Sequence, residues 1–426
     1  TIIYTSGTTG EPKGVMLTHS NFTSNEMDAF QIMDYRPDDL ALSFLPLAHV
    51  YERIMCYGYF GRGVAVAYVA AVDQVASALL EVRPTVAAAV PRFFEKIYAN
   101  MMEKGHRATG LKRSIFDWAL RTARQATPWR AYGRPGPLSV KLAWMLADRL
   151  VYSHVRAGLG GRIRSFASGG APLARELVEF FWTIGVVIYQ GYGLTETSPI
   201  VATNLPQANK VGTVGRPIRN VEVRIAEDGE ILVRGPCVMR GYYQEPNQTR
   251  VALGEDGWLH TGDVGYLDED GYLVVTDRKK DLLKTAAGKF VAPQPIENSL
   301  KSSPFILSAV VIGDRRKFCA ALIVPHFANV EARARGMGLE FPSTAELAAH
   351  PWVRQLIGQE IEQLNSHLAQ YETIKRFALL DHDFTFEDGE MTYTLKVKRR
   401  VIEQRYHDTI ERLYADVEEP RPLPQT

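Results

Sequence analysis

The first fourteen residues, TIIYTSGTTGEPKG, join a strand-like run to a loop rich in groups that bind phosphate. The first four residues are β-branched or aromatic, and the next ten contain three glycines, four hydroxyl side chains and Lys13. Backbone amides and hydroxyls of such a loop can wrap a polyphosphate, with Lys13 as a point charge. A Walker P-loop is excluded because Gly14 follows the lysine and Pro12 lacks a backbone N–H. The pattern predicts a nucleotide-binding loop of another kind.

Three further motifs contain groups suited to a nucleotide and a cation. In YQGYGLTETSP, residues 189–199, an aromatic ring can stack on a base, and Glu196 can ligate a hard cation. SGGAPL, residues 168–173, adds a second glycine turn. HTGD, residues 260–263, places Asp263 after a predicted strand, where its carboxylate can accept ribose hydroxyls. Each motif alone could be an ordinary loop or helix cap, but together they favour a nucleotide site.

Composition restricts the class of protein. A length of 426 residues predicts two or three domains, and 46% hydrophobic with 23% charged residues excludes wholesale disorder. The net charge of +1 gives no global field to attract nucleic acid, so no nucleic-acid partner is expected. The most apolar run, residues 63–72, is far shorter than the roughly 20 residues of a membrane span and predicts a buried strand. Three widely separated cysteines favour a reducing, cytoplasmic location.

The order of the elements predicts an α/β protein with two domains. Up to about residue 100, apolar β-rich runs alternate with helical stretches, which is typical of a parallel sheet. Turn sequences such as EDGE at 227–230 separate short strands between about 210 and 276, which predicts a small β subdomain. The charged run DRKKD at 277–281 is suited to a hinge. Residues 282–426 then form a smaller α/β domain, with an amphipathic helix at 351–368.

A basic helical insertion interrupts the first domain at about 101–165. Residues 104–149 contain ten Lys or Arg against two acidic residues, interleaved with Trp118, Trp129 and Trp144. One interpretation is that the insertion binds peripherally to the inner face of a membrane, with the tryptophans as anchors. The other is a packed insertion whose tryptophans lie in the core and whose arginines are solvated.

The motif order YTSGTTGEPKG, SGGAP, GYGLTE, TGD, DRKKD resembles the adenylate-forming (AMP-binding) superfamily of acyl-CoA synthetases, adenylation domains and luciferases. Four further segments are similar to the long-chain fatty acyl-CoA synthetase subgroup: LPLAHVYER at 45–53, VPRFFEKIY at 90–98, LLKTAAGKFVAPQPIEN at 282–298 and MTYTLKVKRR at 391–400. The resemblance implies ATP-dependent activation of a long-chain fatty acid to acyl-AMP, with release of pyrophosphate and transfer to coenzyme A.

The resemblance also implies residue roles. The loop from Thr5 to Lys13 would hold the β and γ phosphates, and Glu196 with a loop hydroxyl would position Mg²⁺. Asp263 and Arg278 would bind the ribose. The nucleotide-binding set implied in this way is Thr5, Ser6, Gly7, Thr8, Thr9, Gly10, Lys13, Gly169, Gly170, Ala171, Tyr192, Gly193, Thr195, Asp263 and Arg278. The catalytic set is Lys396, Glu196, Lys13 and His49, of which Lys396 would stabilise the charge that develops as the carboxylate attacks the α-phosphate.

Two assignments keep alternatives. The resemblance places His49 beside the acyl carboxylate, but a single histidine can equally be a packed, hydrogen-bonded core residue. The subgroup has Pro at the position of Tyr393 and a second Gly at that of Ala287. The first departure relaxes the turn before Lys396, so Lys398 is an alternative catalytic lysine.

The relatives carry a subdomain before the phosphate loop, so we expect a segment preceding Thr1 to complete the first domain. The expected fold is a large, incomplete N-terminal domain, residues 1–276, with parallel sheets and a small β subdomain, and a small mobile α/β C-terminal domain. Fatty acid, ATP and CoA are the expected partners, and the oligomeric state stays open. Two other functions fit: a short-chain or aryl acid–CoA ligase, and a non-catalytic nucleotide- or acyl-CoA-binding fragment.

Overall fold

The computed structural model describes residues 1–5, 12–391 and 397–415. The chain divides into two compact units, Thr1–Lys280 and Asp281–Thr426. The predicted loop residues 6–11 and the segment 392–396, which includes Lys396, lie outside the described residues. The hinge role of residues 277–281 stays a prediction.

The strands of the first unit are β1 (Ile2–Thr5), β2 (Lys13–Met16), β3 (Leu40–Ser43), β4 (Ala65–Tyr68), β5 (Val86–Ala89), β6 (Ser165–Ser168), β7 (Ile188–Gly193), β8 (Ile200–Thr203), β9 (Arg216–Pro217), β10 (Glu222–Ile225), β11 (Glu230–Arg234), β12 (Gly241–Tyr242), β13 (Leu259–Leu267) and β14 (Leu273–Arg278). Its α-helices are α1 (His19–Phe30), α2 (Val50–Gly61), α3 (Val75–Val82), α4 (Pro91–Arg107), α5 (Gly110–Arg130), α6 (Leu138–Ala147), α7 (Ser153–Gly158), α8 (Arg175–Thr183) and α9 (Pro246–Ala252).

A seven-stranded sheet in the order β4-β3-β5-β6-β7-β8-β9 forms the centre of the first unit. Its first five strands, β4, β3, β5, β6 and β7, are parallel. Strands that follow one another in the chain are joined here by crossovers that contain helices, as parallel pairing requires. The carboxyl ends of parallel strands meet at one edge of the sheet, so the loops after β3, β6 and β7 gather there. These loops carry His49, the two glycines 169 and 170, and Glu196.

The segment 63–72 contains the edge strand β4, so the predicted strand is confirmed but its predicted burial is wrong. Its four residues are exposed or only partly buried, since β4 has a neighbour on one side only. Side chains at the border of a sheet have neighbouring strands on one side only, so an apolar run can lie at the surface there.

Two smaller sheets complete the first unit. β1, β2 and β12 form an antiparallel sheet with β2 in the centre, and β10, β11, β13 and β14 form a second antiparallel sheet in that order. The latter is the predicted small β subdomain. Its pairing of β11 with β13 is interrupted between Glu230 and Leu232, where residues 261–263 bulge opposite Ile231. Such bulges re-aim side chains locally, and this one carries Asp263.

The predicted helical insertion contains α5, α6 and α7 and packs against α8 and the main sheet. Ala119 and Thr122 of α5 are buried. The tryptophans are packed rather than exposed: Trp118 and Trp144 contact the core, and the Trp144 indole N–H donates to the Thr183 carbonyl at 2.9 Å. They therefore do not provide the surface anchors that the membrane interpretation assigned to them.

The second unit contains β15 (Leu283–Lys284), β16 (Phe290–Val291), β17 (Ile306–Ile312), β18 (Cys319–Pro325) and β19 (Ile374–Leu379), with α10 (Pro293–Lys301), α11 (Phe327–Arg335), α12 (Thr344–Ala349), α13 (Pro351–Asn365), α14 (Arg399–Arg405) and α15 (His407–Tyr414). β18 pairs antiparallel with β17 and parallel with β19. The predicted amphipathic helix is α13, which buries Val353, Ile357 and Ile361 against this sheet. The expected α/β class, with a parallel sheet and a small C-terminal α/β unit, is confirmed.

Candidate nucleotide-binding site

A buried carboxylate links the two larger sheets of the first unit. The Asp263 side chain is 6% exposed and pairs with Arg278, whose Nε lies 3.1 Å from Oδ1. The two residues are direct partners across β13 and β14. The hydroxyl of Tyr192, on β7 of the main sheet, donates to the other oxygen, Oδ2, at 2.7 Å. The structure therefore brings together three residues predicted from three separate motifs.

Tyr192 is kept as a hydrogen-bond donor by its surroundings. Burial and the neighbouring Asp263 carboxylate raise the pKa of Tyr192 well above its usual range. The following residue, Gly193, passes very close to the next strand, because a Cβ built there would lie 1.7 Å from the Pro199 carbonyl oxygen. Only glycine fits at this position, which fixes the path of the chain from Tyr192 to Glu196.

Glu196 lies in a short 3₁₀ turn, Thr195–Thr197, directly after β7. The hydroxyl of Tyr242 on β12 donates to Glu196 Oε1 at 2.8 Å. Above the same tyrosine ring, the Lys13 ammonium lies 5.0 Å from the ring centroid. Burial and the Glu196 carboxylate raise the pKa of Tyr242 far above its usual range. Tyr242 thus connects Lys13, in the predicted phosphate loop, to Glu196, the predicted cation ligand.

Thr5 and Lys13 mark the two ends of the predicted phosphate loop. They are direct partners in the antiparallel pair β1 and β2, so the loop leaves and re-enters the structure at one place. The loop residues Ser6, Gly7, Thr8, Thr9 and Gly10 lie outside the described residues. Their roles stay predictions.

Two glycines of the predicted nucleotide-binding set, Gly169 and Gly170, follow β6. Gly169 donates from its backbone N–H to the Ala89 carbonyl at 3.3 Å, and a Cβ there would lie 3.2 Å from the Tyr51 ring. Gly170 has φ +81°, a left-handed conformation that favours glycine. Ala171 is exposed, and the preceding Ser168 hydroxyl is buried without a hydrogen-bond partner among the described residues. A buried unpaired hydroxyl beside an open glycine turn can bind a polar ligand atom.

His49 is the N-cap of α2. Its Nδ1 accepts a hydrogen bond from the backbone N–H of Tyr51 at 3.2 Å, and burial lowers the pKa of the imidazole. The ring is therefore neutral and partly buried, and it contributes to the start of the helix. A position beside an acyl carboxylate stays a prediction.

The alternative catalytic lysine belongs to the second unit. Lys398 is the N-cap residue of α14, and its backbone N–H donates to the Glu390 carbonyl at 2.7 Å. Met391 and Val397 form a β-bridge, so the two ends of segment 392–396 lie side by side. Nothing in this geometry decides between Lys396 and Lys398.

Sequence reasoning missed Tyr242 and Glu230. Tyr242 lies in RGYYQ, where two adjacent tyrosines after glycine indicate a close-packed strand but no partner. Glu230 lies in the segment EDGE, interpreted only as a turn, although its side chain is 8% exposed and ion-paired. A carboxylate at the start of an apolar strand run was the available signal for burial.

Two family models match this chain. One, described as AMP-binding enzyme, matches residues 1–243, and the other, described as AMP-binding enzyme C-terminal domain, matches residues 280–418. The chain belongs to the AMP-binding enzyme family. The two matched segments divide near the boundary between the two compact units.

Curated relatives and solved structures of the AMP-binding enzymes resemble the whole chain. A relative named long-chain-fatty-acid–CoA ligase FadD15, from Mycobacterium bovis, is 41% identical over 417 residues, which cover 97% of this chain and 69% of the relative. The adenylation domain of a carboxylate reductase from Mycobacterium chelonae has a TM-score of 0.74 and 25% identity, covering 97% of this chain and 60% of that one. The A domain of a carboxylic acid reductase from Segniliparus rugosus, in complex with AMP and a co-purified carboxylic acid, has a TM-score of 0.70 at 25% identity, covering 97% and 61%.

Replacement of His49 tests its role as an N-cap. His49→Ala should lower the free energy of unfolding by about 1 kcal/mol near neutral pH, and His49→Asn, which keeps an acceptor, by less. Since the folded pKa lies below the unfolded value of about 6.5, the unfolded chain takes up the proton first as the pH falls. Urea unfolding should therefore show that the parent chain loses stability relative to His49→Asn as the pH falls from about 7 to about 5. Parallel curves for the two proteins would contradict this.

Proposed function

We propose that this chain is an ATP-dependent long-chain fatty acid–CoA ligase that forms an acyl-adenylate and then an acyl-CoA. The carboxylate of the acid attacks the α-phosphate of ATP, and pyrophosphate leaves. The thiolate of CoA then attacks the acyl carbonyl, and AMP leaves. The observation that carries the proposal is the junction of Tyr192, Asp263 and Arg278 in a chain 41% identical to a named long-chain ligase.

The junction supports a nucleotide as one substrate. Asp263 presents a carboxylate at the site, paired with the Arg278 guanidinium, and a carboxylate accepts hydrogen bonds from vicinal hydroxyls such as those of ribose. The Ser168 hydroxyl and the open glycine turn offer the polar atoms and close backbone approach that a purine requires. Lys13 supplies positive charge where the phosphates would lie.

The residues around Glu196 fit Mg²⁺ bound together with ATP. Among the described residues, no group of three or more His, Cys, Asp or Glu side chains could hold a metal ion. Mg²⁺ is commonly bound by one or two carboxylates together with substrate phosphates and water, so the single carboxylate of Glu196 is sufficient. When bound, Mg²⁺ would neutralise charge on the phosphates. Tyr242 would hold Glu196 in place through Oε1, leaving Oε2 for this task.

The acid substrate needs no general base, because a carboxylate is already ionised at neutral pH. What the reaction needs is positive charge opposite the developing charge on phosphorus. We assign this role to Lys396, with Lys398 as the alternative. The chain contains both, two residues apart, in the segment similar to the long-chain subgroup.

The same lysine need not serve both half-reactions. Residues 277 and 278 belong to β14, and Lys279 is ion-paired within the first unit, so we infer that any swing of the C-terminal unit occurs at Lys280 or Asp281. Rotation there would exchange the groups that face the acyl carbonyl between the two steps.

A panel of acids tests the proposed substrate. The chain should release pyrophosphate from ATP and Mg²⁺ only when an acid is present, and fastest with acids of about twelve to eighteen carbons, as the long-chain relatives suggest. Preference for acetate or benzoate would favour a short-chain or aryl acid ligase. Binding of AMP without pyrophosphate release for any acid would favour a non-catalytic nucleotide-binding protein.

Substitution of the two lysines separates the half-reactions. Lys396→Met removes charge with little change in volume and should slow adenylate formation by about 100-fold or more. The same variant should convert supplied acyl-adenylate and CoA to thioester at close to the parent rate. Lys398→Met is the matched control and should keep both half-reactions close to the parent rate. Lys280→Pro should slow only the thioester step. Selective loss in Lys398→Met, with Lys396→Met active, would reverse the assignment.

We also propose that the helical insertion contacts an anionic membrane surface, through leucines rather than tryptophans. Four apolar residues of α6 follow the i, i+4, i+7, i+8 spacing of one helix face: Leu138, Leu142, Met145 and Leu146, with exposed fractions of 71%, 56%, 61% and 52%. Leu150 in the next turn extends this α6 stripe. No helix in the described parts of the chain has the length and hydrophobicity to cross a bilayer.

Charge selects the kind of membrane. Arg149 lies within the α6 stripe and is exposed, and Arg121, Arg124 and Arg134 are exposed on the same insertion. An exposed apolar face on an insertion that carries exposed arginines fits a bilayer with anionic headgroups, where each basic residue near the surface contributes about 1 kcal/mol.

Vesicle co-sedimentation tests the α6 stripe. The chain should bind phosphatidylglycerol vesicles more than phosphatidylcholine vesicles, and binding should fall as salt rises. The double variant Leu142→Ser, Met145→Ser should lose most binding. Leu111→Ser on α5 is the matched control, since Leu111 is 77% exposed but lies outside the stripe. Equal binding to both vesicles, or equal loss in the control, would contradict the proposal.

A further inference from the structure

Glu230 lies where the backbone pairing of β11 with β13 is interrupted, in the four-stranded sheet that carries Asp263 and Arg278. Its Oε1 accepts a hydrogen bond from the backbone N–H of Gly262 at 2.9 Å, inside the bulge that carries Asp263. The bulge gives that N–H no strand partner, so a side-chain carboxylate replaces the missing ladder hydrogen bond. The adjacent Asp263 N–H is similarly bound by the Thr261 hydroxyl, at 3.1 Å.

The other carboxylate oxygen reaches the strand that carries Arg278. Glu230 Oε2 lies 3.0 Å from the Lys279 ammonium, and the backbone N–H of Lys279 donates to the Gly262 carbonyl at 2.9 Å. Gly262 is thus held on its N–H side by Glu230 and on its carbonyl side by Lys279. The three residues form a closed set of contacts directly beside Asp263 and Arg278.

The remaining contacts of Glu230 support an ionised carboxylate. Burial alone would raise its pKa, but the Lys279 ammonium and the Gly262 N–H hold the pKa of Glu230 below its usual range. Asp228 shares Lys279 at 2.6 Å, and His260 Nδ1 lies 3.3 Å from Glu230 Oε2. Asp228 and Lys279 are about half exposed, whereas the Glu230 side chain is 8% exposed. Glu230, the most buried of these charged residues, is therefore the one that organises the contacts with Gly262 and Lys279.

We propose that Glu230 is a positioning residue for ribose recognition: it fixes Gly262 and Lys279, and through them sets Asp263 and Arg278 at the spacing that binds the ribose hydroxyls. This inference rests on the proposed nucleotide site. Glu230 itself does not contact the nucleotide, so its removal should weaken recognition of the ribose hydroxyls and leave recognition of the acid unchanged.

The test compares AMP with 2′,3′-dideoxy-AMP by calorimetry. The parent chain should prefer AMP by about tenfold or more, as expected when hydrogen bonds to a charged group are lost. Glu230→Ala should reduce that preference to about twofold or less and should raise KM for ATP without changing KM for the acid. Glu230→Gln, which keeps an acceptor for Gly262 but loses the pairing with Lys279, should fall between them and serves if Glu230→Ala does not fold.

Two controls separate positioning from general stability. Glu222→Gln removes a carboxylate paired with Arg234 in the same sheet, at 2.7 Å, and should leave the preference for AMP unchanged. In an Asp263→Ala background, Glu230→Ala should cause no further loss of preference, because the two residues act through one contact.

The outcomes distinguish the inference from the proposal beneath it. A parent chain that binds AMP and its dideoxy analogue equally would overturn both the ribose site and the role of Glu230. A parent chain that prefers AMP, with Glu230→Ala keeping that preference, would overturn the role of Glu230 alone.

Discussion

The junction between the two larger sheets of the first unit depends on the buried carboxylate of Asp263. Removing a carboxylate from water costs several kcal/mol unless it is paired and hydrogen-bonded. Asp263 meets this requirement with partners from two sheets, the Tyr192 hydroxyl and the Arg278 guanidinium. The requirement explains the surrounding irregularities. In a regular strand pairing at 261–263, the backbone N–H groups would have strand partners and the Asp263 side chain would point elsewhere. The bulge, with its side-chain hydrogen bonds, therefore accompanies the placement of this carboxylate at the junction.

The sequence identified most of these residues but not their geometry. Glycine, hydroxyl and carboxylate motifs indicate phosphate, base and ribose chemistry by residue type, and Asp263 could be named in this way. Tyr192 and Arg278 were named in advance only through the resemblance to the AMP-binding enzymes. The contact among the three could not be predicted, because the pairing of Asp263 with Arg278 depends on the register of β13 and β14, which shifts between Val264 and Gly265. Tyr242 was missed because its hydroxyl meets Glu196 across 46 residues of sequence, and no local pattern indicates that contact.

Periodicity predicted which residues share a face, but not which face is covered. In α13 the pattern was sufficient, since one apolar face was available to bury. In α6 both faces are apolar: Trp144 packs against the core while Leu142 is exposed. Which of the two faces of α6 is buried depends on the elements that pack beside it. The order of those elements is a property of the whole sheet. The edge position of β4 was unpredictable for the same reason, because an apolar run has the same sequence whether it has one neighbour or two.

The capping of α2 by His49 has a chemical consequence for the other nitrogen of the imidazole ring. With Nδ1 of a neutral His49 occupied as an acceptor, the ring proton must reside on Nε2. The helix start thus fixes the tautomer, and the ring can offer its surroundings only an N–H. A carboxylate, phosphate or carbonyl oxygen can accept from it, whereas an ammonium or an amide N–H finds no partner there. The backbone of a helix therefore decides the polarity of the group that this side chain can recognise.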